Sequence, residues 1–135
     1  MPPVYMVGQR VLVSTFTDWP AVSRWYWNLS KPHFEPSQAL REKTRALIAD
    51  ALTDRERIQA VFQFVSQEIR YLGITAEADA PGYEPHDVAD TFAQKHGVCR
   101  DKAALLAVML REAGFEAFPV LIHPVSYTHL TLPTN

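Results

Sequence analysis

Residues 97–110 read GVCRDKAALLAVML and contain the only cysteine of the chain, Cys99. The apolar residues that follow recur at helical spacing and predict a helix from Cys99 to about Ala113. Because this helix is apolar almost all round, we expect it to be central and buried, so that only its first turn can meet a cleft. Its predicted core stripe is Ala103, Leu106, Leu110 and Ala113, widened by Leu105, Val108 and Met109.

The position of Cys99 allows two interpretations. A thiol in the first turn of a helix lies near unpaired amides and the positive end of the helix dipole, which favours the thiolate. Arg100 and Lys102 are expected to add positive charge near the thiol, and Asp101 is expected to cancel part of that charge. Gly97 is expected to leave room above the sulfur. Against this, free cysteines are most often buried and behave as small apolar residues. Since Cys99 precedes the apolar run, its flanks favour a nucleophile.

Composition narrows the class of protein. The 135 residues suit one domain or part of a larger one, and a 47% hydrophobic content is enough for a core. A net charge of −2 without a basic block argues against nucleic-acid binding. One cysteine excludes an internal disulfide, and no histidine spacing suggests a metal site. No stretch approaches the ~20 apolar residues of a membrane span.

The residues before position 53 predict one strand and two helices. Arg10–Phe16 is short and rich in β-formers, which indicates a strand. Thr17 or Asp18 can cap a helix that has Pro20 in its first turn and stops at Pro32. A second helix is expected from Pro36 to Leu52.

A third helix has the clearest start in the chain. Thr53 and Glu56 form a capping-box pattern, and Gly73 can end the helix. Its predicted apolar stripe is Ile58, Val61, Phe62, Val65, Ile69 and Leu72.

The remaining elements follow a long loop over residues 73–86. Asp87 can cap a short helix that runs through Phe92, with His96 at its C-terminal end. Gly114 is expected to terminate the cysteine helix, and Glu116–His123 indicates a strand.

Residues 82–122, GYEPHDVADTFAQKHGVCRDKAALLAVMLREAGFEAFPVLI, resemble the core of bacterial transglutaminase-like domains. The earlier EIRYLGI stretch, residues 68–74, resembles the same family, so that the resemblance runs from about Pro36 to Ile122. It implies an α+β, papain-like fold, here a helix-rich and incomplete core with the cysteine at the start of the central helix. The expected division is 1–17, the end of a β-rich domain; 18–35, a linker helix; 36–124, the N-terminal half of the transglutaminase-like domain; and 125–135, a non-native tail that resembles translated sequencing adapters.

The resemblance also implies a chemistry. In that family a Cys-His-Asp triad acts on protein or peptide amides through a thioester, without a cofactor, and Cys99 matches the nucleophile. Arg100, Tyr83, His86 and Tyr71 are the candidates for an oxyanion site or cleft. The chain departs from the family at Val98, where many members carry an acidic residue. The histidine and aspartate, expected on strands after the cysteine helix, are not found, so we expect the chain as given to be inactive.

Two other interpretations remain open at this stage. The domain can be a non-catalytic peptide-binding or scaffold module on the same fold, or a helical interaction module with Cys99 in its core. Crosslinking, deamidation and hydrolysis share the thioester, so the sequence does not choose among them. The sequence does not assign a cellular location either. Residues 1–5 lack signal-peptide features, and a longer parent protein would be exported if a signal lay upstream of Met1.

Overall fold

The computed structural model describes residues 14–72 and 82–121. In this part of the chain five helices and two short strands form a helix-rich α+β arrangement, as the sequence predicts. The helices are α1 (Trp19–Ser30), α2 (Gln38–Ile48), α3 (Asp54–Glu68), α4 (Val88–Gln94) and α5 (Cys99–Glu112), with a 3-10 turn at Lys31–His33. The strands β1 (Arg70–Tyr71) and β2 (His96–Gly97) pair in parallel, with Arg70 opposite His96 and Tyr71 opposite Gly97.

The helix starts lie where the capping residues predict them. Asp18 accepts a hydrogen bond of 2.7 Å from the amide of Ala21, and a proline occupies the first turn of α1. Ser37 caps α2. At α3, the amide of Glu56 donates to Thr53 while the Glu56 carboxylate accepts from the amide of Thr53, which completes the predicted capping box.

Two helix ends differ from the sequence prediction. Helix α2 ends at Ile48, four residues before Leu52. Helix α3 ends at Glu68, because Ile69 turns to an extended backbone and the amide of Arg70 donates to the carbonyl of Lys95 at 2.8 Å. Strand pairing with a distant segment therefore replaces the last predicted turn of this helix.

Helix α5 lies at the centre of the described fold and packs against α2, α3 and α4. Its burial is as predicted, but the predicted stripe is wrong in detail, since Ala103 is exposed and Leu106 and Leu110 are only partly buried. On a helix that is apolar almost all round, periodicity does not say which face meets the most neighbours. The core residues of α5 are Ala104, Leu105, Ala107, Val108 and Met109.

Helix α3 contributes Val61, Phe64 and Val65 to the same core. Two residues of its predicted apolar stripe, Ile58 and Phe62, are exposed instead.

The C-terminal end of α5 has the predicted form. Gly114 adopts a φ of 94°, and its amide donates to the carbonyl of Arg111 at 2.9 Å. The amide of Phe115 donates to the carbonyl of Leu110 at 3.0 Å, which completes a Schellman motif.

The predicted strand at Glu116–His123 is wrong for residues 116–121, which have no regular structure. A strand is stabilised by ladder hydrogen bonds, and no described segment pairs with these residues. Residues 14–16 of the other predicted strand are likewise irregular. Residues 10–13, Gly73, His123 and the predicted tail 125–135 lie outside the described residues. None of the described helices is both long and apolar enough to cross a membrane.

Candidate active site

Cys99 is the first residue of α5, and its side chain is exposed. The helix behind it enters the core, since Ala104 and Leu105 are buried almost completely. The thiol therefore stands at the solvent-facing tip of the most central helix. This placement does not fit an interaction module in which Cys99 is a core residue.

Asp101 organises the backbone around the cysteine. Its side chain is only 2% exposed, and its carboxylate accepts hydrogen bonds from the amide of Val98 at 2.9 Å and from the amide of His86 at 3.0 Å. It also lies 3.2 Å from Nδ1 of His86. Asp101 thus joins the start of α5 to the residues before α4. From the sequence we expect only an electrostatic effect of Asp101 on the thiol, although an acidic residue at the third helical position is a known partner of the cap amide.

The two basic residues of the first turn differ in what they contact. Arg100 is mostly buried, and its Nε lies 3.8 Å from the Asp101 carboxylate. The ammonium group of Lys102 donates instead to the carbonyls of Ile69 and Ser66 at the end of α3. Lys102 therefore caps the C-terminal end of α3, and the effect of its charge on the thiol stays a prediction.

Gly97 is needed for close packing, and the room that it is expected to leave above the sulfur stays a prediction. A Cβ atom at this position would lie 2.8 Å from the Cβ of Asp101 and 3.2 Å from the Cγ2 of Thr91. Both distances are too short for an ordinary contact. The glycine therefore allows β2 to pass directly over the buried carboxylate that holds the start of α5.

The predicted cleft residues make different contacts in the structure. His86 reaches the start of α5 through Asp101, and Tyr71 lies opposite Gly97 in the β1–β2 pair. Tyr83 belongs to the same loop as His86, but its ring packs edge-on against Trp25 of α1, with 5.8 Å between the ring centroids. Both tyrosines are exposed. His96, predicted at a helix end, lies in β2, because α4 ends at Gln94 and Lys95 takes a left-handed conformation.

The sequence does not predict a functional role for His33, which follows α1 in the 3-10 turn. Its Nε2 lies 2.7 Å from a Glu84 oxygen and its Nδ1 lies 2.7 Å from an Asp87 oxygen. Asp87 precedes α4 as predicted, but its side chain makes no capping hydrogen bond there. We call His33, Glu84 and Asp87 the carboxylate clamp. No local pattern signals it, because its partners lie 51 and 54 residues further along the chain.

The clamp shifts the titration of His33. Burial of the ring alone would lower its pKa, but hydrogen bonds with Glu84 and Asp87, together with their charges, outweigh that effect. The pKa of His33 is therefore raised above its ordinary value of 6.5. The described residues contain no cluster of three or more histidine, cysteine or acidic side chains that could hold a metal ion.

Comparison with curated proteins and with solved structures finds no match. The sequence model of the transglutaminase-like superfamily, in contrast, matches residues 41–121, which is more than half of the chain. The matched region includes α3, both strands, α4 and the whole of α5 with Cys99 at its start. The chain therefore belongs to the transglutaminase-like superfamily.

Proposed function

We propose that this protein is a thiol acyltransferase or amidase that acts on protein or peptide amides through a thioester on Cys99. The observation that carries the proposal is the exposure of Cys99 at the first residue of a buried helix, in a chain of this superfamily. A structural cysteine would lie further along, among the apolar residues. At the tip, the sulfur is open to a substrate and close to the positive end of the helix dipole.

The proposed reaction has two steps. The sulfur of Cys99 attacks the carbonyl carbon of an amide, the carbon–nitrogen bond breaks, and the leaving amine takes a proton while the acyl group stays on sulfur. An amine or water then attacks the thioester and releases the thiol. Amide groups of the first turn of α5 lack partners within the helix and support the negative oxygen of each tetrahedral intermediate.

The proton carrier is assigned by the family resemblance. A histidine takes the proton of the thiol and returns it to the leaving amine, and an aspartate orients the histidine. The resemblance places both on strands after the cysteine helix, and the proposed domain range 36–124 contains only the nucleophile. Arg100, His86, Tyr83 and Tyr71 are proposed to border the cleft, with Arg100 the nearest to Cys99 in the chain.

The proposal is tested first on the 135-residue chain. Iodoacetamide should alkylate Cys99 in the folded protein, and peptide mass spectrometry should locate the label there. Labelling that occurs only after denaturation would contradict an accessible thiol. Circular dichroism during the reaction shows that the protein remains folded.

The second test reads the source gene past codon 124 and expresses the longer chain. With a glutamine-containing peptide and hydroxylamine, we expect a peptide hydroxamate, and Cys99→Ala should abolish it while the melting temperature is kept. Peptide binding without acyl transfer would instead support the binding or scaffold module. Acyl transfer that persists in Cys99→Ala would exclude this thiol as the nucleophile.

A further inference from the structure

The carboxylate clamp constrains the protonation state of His33 by geometry. Both ring nitrogens lie 2.7 Å from a carboxylate oxygen. A neutral imidazole has one N–H, so it can donate to only one of the two acceptors, whereas an imidazolium donates to both. The arrangement therefore selects the charged ring, and deprotonation leaves one nitrogen lone pair facing a carboxylate.

The clamp is connected to the cysteine through residues 84–87, which we call the clamp segment. Within it, Glu84 and Asp87 bind His33, while His86 binds the buried carboxylate of Asp101. Pro85, which lies between Glu84 and His86 in the chain, is fully buried. The clamp segment is thus held on one side by the turn after α1 and on the other by the start of α5.

The connection from His33 to Cys99 ends at the backbone next to the thiol. The Asp101 carboxylate that accepts from the amide of His86 also accepts from the amide of Val98, the residue directly before Cys99. Movement of the clamp segment away from Asp101 would remove hydrogen bonds from this carboxylate. It would also loosen the carboxylate that holds the amide of Val98, directly before the cysteine.

We infer that His33 is a positioning residue: as an imidazolium between Glu84 and Asp87, it holds the clamp segment against Asp101 and so orders the approach to Cys99. Deprotonation of His33 releases one carboxylate and loosens the segment. This inference rests on the proposed function in so far as Cys99 is the reactive group. It predicts a site that is better ordered below the pKa of His33 than above it.

The charges around His33 are consistent with this assignment. Among the described residues, Glu84 and Asp87 face the ring from the clamp segment, and Lys31 lies on the same turn. His86 of the clamp segment contacts the carboxylate of Asp101 at the start of α5. The ring itself is 25% exposed, so that solvent screens part of the attraction.

The sign of the pH effect follows from the direction of the shift. Because the pKa of His33 is raised in the folded state, the clamp stabilises the fold fully below the unfolded-state value of 6.5. This stabilisation is lost as the pH rises through the raised value. The stability difference between the wild type and His33→Gln should therefore shrink towards alkaline pH.

The decisive experiment follows the ring of His33 and the amides of His86 and Val98 by NMR across a pH titration of the 135-residue chain. We expect the ring midpoint to exceed 6.5 and the two amides to shift with the same midpoint. The shared amide transition should disappear in His33→Gln and persist in His96→Gln, which changes an exposed histidine of β2. If His33→Gln does not fold, Glu84→Gln replaces it as the test variant, since it should lower the pH at the midpoint of the His33 ring titration.

A second readout is the alkylation rate of Cys99 at each pH. The wild-type rate should differ from that of His33→Gln below the midpoint and converge with it above. A His33 midpoint at or below 6.5, or amides that do not follow the ring, would overturn the inference. If the clamp titrates as expected but the longer chain transfers no acyl group, the proposed function fails alone. If acyl transfer is present and the amides do not move, the positioning role fails alone.

Discussion

At the scale of single residues, one buried carboxylate connects the parts of the candidate site. Asp101 is shielded from water but accepts hydrogen bonds from two backbone amides that belong to separate elements. A buried charge is tolerated only where such donors replace its hydration. The contact requires β2 to pass close to the side chain, and this makes position 97 dependent on glycine.

Gly97→Ala should therefore destabilise the fold. The added Cβ would lie 2.8 Å from the Cβ of Asp101, so that the side chain or β2 must move and the hydrogen bonds of the carboxylate lengthen. We expect a loss of about 1–3 kcal/mol in the free energy of unfolding, as for other overpacked sites. Urea denaturation measures it.

The control for this variant is Ala103→Ser, which adds one heavy atom at an exposed position of α5. It should change the free energy of unfolding by no more than about 0.5 kcal/mol. Equal stability of Gly97→Ala and the wild type would show that β2 has room to move away from Asp101.

Sequence reasoning at this scale found Cys99 but not its surroundings. The position of Cys99 before an apolar run is a local pattern, and the exposed first position of α5 agrees with it. The contacts of Asp101, Lys102 and His33 join parts of the chain that are distant in sequence. Only the tertiary structure determines which partner each of these side chains reaches.

At the scale of elements, the start of α3 is encoded locally and its end is not. The capping box at α3 involves Thr53 and Glu56 alone, and both its hydrogen bonds form as the sequence predicts. The end of the same helix depends on β2, which pairs with β1 from much further along the chain. Periodicity within α3 carries no information about that pairing, so the predicted helix was too long.

Glu56→Gln tests the electrostatic part of the capping box. Hydrogen bonds from the amides of Leu52 and Thr53 lower the pKa of Glu56 below its ordinary 4.5. A lowered pKa stabilises the fold above the unfolded-state value and loses that effect as the pH falls through the folded-state value. The wild type should therefore be more stable than Glu56→Gln at neutral pH, and the difference should vanish in acid.

Thermal melts from neutral pH to pH ~3 measure this difference. Glutamine is the suitable substitution because it keeps an acceptor for the Thr53 amide and removes only the charge. Glu116→Gln, which makes the same substitution in the irregular segment after α5, is the matched control and should leave the melting temperature at neutral pH close to that of the wild type. A difference that persists unchanged in acid would mean that the side chain acts through its shape and not through its charge.

At the scale of the whole molecule, one arginine connects the two ends of the described chain. The guanidinium group of Arg111 lies 4.9 Å from the ring centroid of Trp27 on α1 and 4.7 Å from that of Phe118. It also lies 5.3 Å from the ring of Phe34, and its Nε donates to the carbonyl of Ala117 at 2.7 Å. The irregular residues after α5 are thereby fastened to the first helix without any strand.

Arg111→Lys should weaken this connection although it keeps the charge. A planar guanidinium can stack on several rings and donate from Nε at once, whereas an ammonium group is a compact, strongly hydrated charge. We expect a loss of about 1–2 kcal/mol in the free energy of unfolding, from weaker cation–π contacts and one lost hydrogen bond. Arg45→Lys, at an exposed position of α2, is the matched control and should be near neutral.

NMR separates a local from a global effect of Arg111→Lys. If Arg111 fastens the segment after α5, the ring signals of Trp27 and Phe118 should shift in Arg111→Lys while the amides of α3 keep their protection from hydrogen exchange. Loss of that protection would mean that Arg111 supports the core as a whole, since global unfolding exposes every amide alike. Ring signals and protection that both stay unchanged would show that the ring contacts, and not this cation, hold the segment on α1.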